Sequence, residues 1–396
     1  MTRWEDFGDD ARTTAWRPRR PGPAATISAV SARPPLLMIP GPTPVAPEVL
    51  AALAEPVRSH TGAENAATVR RIQASLRALV GSVSARVHVF GGAGTLAMEA
   101  ALVNHAAPGD RVVVVSHGYF GDRFAEVGEA HGMSVEVLRS ELGHRVDPEQ
   151  VRARLAAGDP PAVVTLTHVD TASGVLADCA VLAAVIRDVA PDAVVVVDGV
   201  CATGGVEELM DAWDADVVLT GAQKALGVPP GLALLAVSER ARARRETFDR
   251  VPSYYADLRR WDPVVDDPTR YFSTHATSLL RALEVALELI DEEGLPERLL
   301  RHRRVAAALR EGMAELGFEP LTDGVALAPT LSVLAVPEGV DEARLRAGMA
   351  QRGVVIAGCL GPWAGRGVRV GHMGTVGEAE VQRTVAAAAE ALPDAS

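Results

Sequence analysis

Lysine is almost missing from this 396-residue chain: of 39 basic residues one, Lys224, is lysine and 38 are arginine. Cysteine is scarce too. Cys179, Cys201 and Cys359 lie far apart with no C-x-x-C spacing, which excludes a disulfide framework and a zinc knuckle and fits reduced thiols. No metal-binding set stands out. No segment is apolar for the roughly 18 residues that a membrane span requires, so a membrane protein is not expected. Positive charge is in deficit, with 39 basic against 51 acidic residues and a net charge of -12. The summed field therefore repels phosphate backbones and anionic membranes, and nucleic acid is not an expected partner.

What is present is an ordinary globular composition, 48% hydrophobic and 23% charged. Such a chain buries a large core, and its length is enough for two associated domains. Residues 1–34 stand apart as an Arg- and Pro-rich tail or arm. They lack the apolar core of a secretory signal, and Glu5, Asp6, Asp9 and Asp10 argue against a mitochondrial presequence. A cytoplasmic location is the expectation.

From residue 40 onward, short β-branched runs alternate with amphipathic stretches. Strands are expected at 86–90, 111–115, 162–167, 193–197, 216–220 and 232–237. Uninterrupted valines at 112–115 and 194–197 indicate strands covered on both faces, the parallel α/β arrangement. Helical spacing marks 95–105, 120–131, 148–157 and 178–189, with Gly109 and Gly158 as stops. After about residue 265, long helical stretches at 278–293 and 296–316 precede short elements at 329–336, 341–352 and 368–371. The division is thus a large domain over 35–275 and a smaller α+β domain over 276–396.

Two constellations carry chemistry. The first is GGAGT at 91–95, where a strand runs through glycines into a helix. Backbone amides and the positive helix end there suit a phosphate. Gly92, Gly94 and Ala97 also match a dinucleotide fingerprint. The following strand opposes that reading, because Ser116 and His117 stand where a ribose-binding carboxylate belongs. The second is Asp198, directly after a valine run, with Lys224 past the next strand. Both project toward the sheet edge where open α/β folds bind ligands. An arginine-rich chain keeps lysine where an amine must lose its proton, although a coding preference for arginine would leave the same count. The neighbouring signals decide between these. An anion site, a carboxylate for a pyridinium nitrogen and an amine for a Schiff base are together what pyridoxal 5'-phosphate (PLP) requires.

At these residues the chain resembles the class V aminotransferases of the fold-type I PLP enzymes, in their alanine-glyoxylate and serine-glyoxylate branch. The likeness runs over residues 36–390 through PGPTP at 40–44, GGAGTLAME at 91–99, HGYFGDR at 117–123 and HVDTASGV at 168–175. It continues in DGV at 198–200, TGAQKAL at 220–226, PPG at 229–231 and RVGHMG at 369–374. The resemblance implies roles. Lys224 would bind the cofactor covalently and shuttle protons, and Asp198 would keep its ring nitrogen protonated. Phe120 would stack on the ring, Thr171 would bond its phenolic oxygen, and Gly94, Thr95 and Gln223 would hold the phosphate. Tyr271 and Thr274 would reach that phosphate from a neighbouring subunit, making a homodimer. Arg369 would clamp the substrate carboxylate beside a backbone wall at Gly41.

Departures from the pattern are Ala93, Ala172 and the Thr274-His275-Ala276 run, which leave substrate identity and the role of His275 open. Cys359 lies too close to Arg369 for the nucleophile loop of a cysteine desulfurase. The expected reaction is ping-pong transamination, from alanine or serine to glyoxylate or pyruvate. A pyridoxamine-pyruvate or ureidoglycine-glyoxylate transaminase is the alternative, and a nucleotide-binding oxidoreductase the distant one.

Overall fold

The computed structural model describes residues 34–395, and the tail at 1–33 lies outside them. Seven strands form the main sheet, in spatial order Arg86–Gly92, Gly231–Val237, Val217–Gly221, Val194–Asp198, Val163–Thr167, Arg111–Ser116 and Ser134–Arg139. All run parallel except Gly231–Val237, which pairs antiparallel with both its neighbours. The expected large, mostly parallel sheet is thus present. Its valine runs are continuous because both faces are covered. Val113, Val115, Val195 and Val197 pack into one core, while Val112, Val114, Val194 and Val196 pack into the core on the opposite face.

The six expected strands form, and a seventh, Ser134–Arg139, adds a half-buried edge. Two further helices, Pro47–Leu53 and Ala63–Leu79, lie against the long helix Thr277–Glu293. A second, antiparallel sheet joins Ala357–Gly358, Gly367–Gly371, Leu331–Ala335 and Glu319–Pro320. Helices Leu295–Ala314, Glu342–Gln351 and Glu378–Ala395 bring it an apolar core with Leu309, Leu345, Val368 and Ala388.

The chain crosses between the two sheets near its start. Leu36–Leu37 pairs in parallel with Val354–Val355, and the Met38 carbonyl accepts from the Gly371 amide at 2.8 Å. Residues 40–43 then run past the turn after Val217–Gly221. There the Thr43 amide donates to the Gln223 carbonyl at 3.2 Å, and the Thr43 hydroxyl to the Lys224 carbonyl at 2.8 Å. This strap brings Gly41 onto the lysine.

Candidate active site

A cavity of about 250 Å³, room for one small ligand, opens at the C-terminal ends of the parallel strands. Eight of the residues singled out from sequence line it: Gly41, Gly94, Thr95, Phe120, Thr171, Asp198, Gln223 and Lys224. They arrive from six separate stretches of chain. Only the fold brings them together.

At one end the strand Arg86–Gly92 turns through Ala93 into the helix Gly94–Val103. The Leu96 and Ala97 amides fold back on the Ala93 carbonyl, while those of Gly94 and Thr95 have no acceptor among the described residues. Such orphan donors at a helix start favour an anion. Gln223 also lines this cavity, and its buried Oε1 has no hydrogen-bond partner among the described residues.

Asp198 ends the central strand Val194–Asp198 and is 3% exposed. Burial pushes its carboxyl up to about 7, although the Val200 amide donates to Oδ1 at 2.8 Å and Lys224 pulls the other way. No cation pairs with it among the described residues. A buried acid with one amide partner fits a protonated ring nitrogen, whose positive charge would replace the missing compensation. Lys224 stands opposite. Its Nζ donates to the Pro40 carbonyl, and a Cβ added to Gly41 would lie 2.8 Å from that Nζ. Gly41 has φ +129°, so both its backbone and its lack of a side chain bring the wall onto the amine.

Phe120 is the second residue of the helix Tyr119–Ala130, and Thr171 sits in the loop after Val163–Thr167. The Thr171 hydroxyl already pairs with the Cys201 thiol at 2.8 Å, a contact with no forewarning in the sequence. Behind both residues lies Asp170, which sequence reasoning left without a role. Its Oδ2 accepts from the Phe120 and Gly121 amides at 2.9 and 3.2 Å, and its Oδ1 from Ala172 and Ser173 at 2.8 and 3.3 Å. Burial raises its pKa, and these four amides offset part of that shift. Gly118 fits beside it because an added Cβ would lie 2.6 Å from Oδ1. The available signal was an acid within the 168–175 motif, next to a residue already assigned.

Arg369 is not among the residues lining the cavity but stands behind one of them: its Nη1 donates to the Thr171 carbonyl at 3.4 Å, and its Nε to the Gly358 carbonyl at 2.8 Å. No carboxylate pairs with it among the described residues, which leaves its charge for a ligand. Tyr271 and Thr274 do not line the cavity. Both are exposed, and the Tyr271 ring meets the edge of His60 at 5.2 Å. His275 packs 5.5 Å from the Trp261 ring, and burial lowers its pKa. Cys359 is buried, with its thiol pushed up to about 11, so it is no ready thiolate.

A lysine, a buried carboxylate and an open anion cradle, set at the strand ends of a mostly parallel sheet, define a fold-type I PLP enzyme, and every part of that set fits the cofactor. The chain belongs to the class V aminotransferase family, whose sequence model matches residues 37–362. It is 34% identical to alanine-glyoxylate aminotransferase 1 of Saccharomyces cerevisiae, over 85% of this chain and 91% of that protein. With the L-aspartate-glyoxylate aminotransferase of Paracoccus denitrificans it shares 29% identity, over 90% and 91%. The crystal structure of ureidoglycine-glyoxylate aminotransferase from Bacillus subtilis superposes with a TM-score of 0.89 at 29% identity, covering 93% and 95%. The protein is a PLP-dependent aminotransferase.

Proposed function

We propose that this aminotransferase takes its amino group from alanine or serine and delivers it to glyoxylate or pyruvate. The observation that carries this reading is the Gly41 wall, where even a methyl group would collide with Lys224 Nζ. A donor at that amine has little lateral room, which favours small side chains. Support also comes from the yeast relative, named for alanine and glyoxylate.

PLP, when bound, supplies the carbonyl that takes up the amino group and a ring that accepts electron density. The residues do the rest. Gly94, Thr95 and Gln223 would hold the phosphate, Phe120 would stack on the ring and Asp198 would keep positive charge at the ring nitrogen. Thr171 would donate its hydroxyl to the phenolic oxygen, with Cys201 orienting it. Arg369 grips the substrate carboxylate with its guanidinium fork and so aims the α-hydrogen at Lys224. Lys224 Nζ, once released from the cofactor, would remove that proton and return it across the transfer; without cofactor it donates to the Pro40 carbonyl.

Two structural readings belong to this proposal. Tyr271 and Thr274, exposed and off their own cavity, serve the phosphate of a neighbouring subunit in a homodimer. The division into domains of residues 35–275 and 276–396 also belongs to this proposal, its boundary falling just before the helix Thr277–Glu293. A cytoplasmic location suits the three unpaired, buried thiols.

The test is a comparison of kcat/KM for alanine, serine, glycine, aspartate, glutamate and pyridoxamine against glyoxylate, pyruvate and 2-oxoglutarate. Alanine or serine with glyoxylate or pyruvate should lead by at least about tenfold, because an unpaired distal carboxylate is costly to desolvate. A preference for aspartate or glutamate would overturn the substrate assignment while leaving the transaminase chemistry in place.

A further inference from the structure

Arg123 is a cation at the cavity without an acidic partner among the described residues. Its neighbour Asp122 is taken by Arg139, whose Nε donates to it at 3.0 Å, and by the Ser116 hydroxyl at 2.8 Å. The Arg123 guanidinium instead lies over two aromatic rings, 4.9 Å from the centre of Phe120 and 5.1 Å from that of Tyr119. Its Nη1 stands 3.4 Å from Thr95 Oγ1, at the start of the helix Gly94–Val103.

That position answers a charge problem. A phosphate monoester carries nearly two negative charges at neutral pH. The cradle described above offers amides, a hydroxyl and the Gln223 amide, all uncharged, and Lys224 is engaged in covalent chemistry. A guanidinium is suited to both neighbours at once, since its plane stacks on an aromatic face while its edge donates to phosphate oxygens. Helix spacing produces the arrangement. Phe120 and Arg123 are three residues apart, so both project from the same face of Tyr119–Ala130.

We propose that Arg123 supplies the cationic group of the cofactor phosphate site and at the same time fixes the Phe120 ring. This inference rests on the PLP reading and adds a ligand to it. It also removes Arg123 from the guanidiniums free to bind a distal substrate carboxylate.

The experiment measures binding to the apoprotein rather than turnover. Dissociation constants for PLP and for pyridoxal, which lacks the phosphate, are read from the cofactor absorbance with wild type, Arg123→Gln and Arg123→Lys. Arg123→Gln should weaken PLP about 10- to 100-fold, the range expected for a lost hydrogen bond between charged groups, and change pyridoxal less than about threefold. Arg123→Lys keeps the charge and should retain most of the preference for PLP. If Arg123 acts only by packing, both ligands weaken alike and the proposal is wrong. Unchanged binding of both overturns it as well. Should Arg123→Gln not fold, Arg123→Lys decides alone: the proposal requires it to prefer PLP over pyridoxal as wild type does, and a collapse of that preference would overturn the charge role. Wild-type protein that binds no PLP would sink the cofactor reading itself, a different failure from wild-type binding with an unaltered variant.

Discussion

Asp198 shows how one residue acquires its property from depth. A carboxyl that ionises near 3.8 in an open chain is held to about 7 here by burial. Between those values the folded apoprotein keeps a proton that the unfolded chain has released, so stability falls as pH rises across that window, by at most about 1.4 kcal/mol per pH unit. Above pH 7 both states have lost the proton and the cost is constant. Asp198→Asn removes the buried charge. The apo variant should therefore gain stability over wild type progressively from pH 4 to pH 7 and hold that gain at pH 8, while losing most of the holoenzyme's turnover. Urea unfolding of both apoproteins across this range checks it, and a gain independent of pH would mean an ordinary carboxylate. Asp198 and Lys224 were legible in the sequence because a charged residue after a valine run, and one lysine among 39 basic residues, are conspicuous without any structure. Cys201 was not, since nothing in one dimension places its thiol beside Thr171.

At the scale of elements, the decisive connection is between the start of the helix Tyr119–Ala130 and the loop at 168–175. Asp170 gathers four amides from these two segments and thereby sets Phe120 and Thr171 on one cavity. A carboxylate that accepts amides at a helix start acts as a cap delivered from a distant part of the chain. Asp170→Ala would leave those donors buried and unpaired. A stability loss of about 2–4 kcal/mol in urea is expected, together with weaker cofactor binding. Asp170→Asn, with one acceptor oxygen in place of two, should fall between. Equal stability of all three proteins would show that the loop does not depend on this acid. The strands themselves were readable from their valine runs, whose residues alternate between the cores on the two sheet faces. The antiparallel course of Gly231–Val237 was not, because an apolar run buried on both faces looks the same in either direction.

For the whole molecule, the exposed pair Tyr271 and Thr274 raises the question of where one site ends. If they complete a neighbour's phosphate site, a Lys224→Ala chain and a chain carrying Tyr271→Phe with Thr274→Ala are defective for different reasons. Mixing them should recover up to about a quarter of wild-type activity, since random pairing makes half the dimers hybrid and each hybrid holds one intact site. Subunit exchange is followed by mass spectrometry of tagged chains. No recovery despite exchange would mean that each site is built from one chain.

The sequence alone determined the chemistry on offer: one lysine, an acid at a strand end, glycines leading into a helix and an arginine in a C-terminal strand. These are local signals, each readable within a few residues because backbone conformation and side-chain chemistry are local properties. Only the tertiary structure decided how they meet. Gly41 lies on Lys224 from 183 positions away because the strap at 40–43 is tied to the lysine turn through Thr43. Arg123 comes to Thr95, and Asp170 to Phe120, through the packing of helices on a sheet whose strand order differs from chain order. Contacts of that kind depend on which surfaces bury one another, and no short stretch of sequence contains both partners.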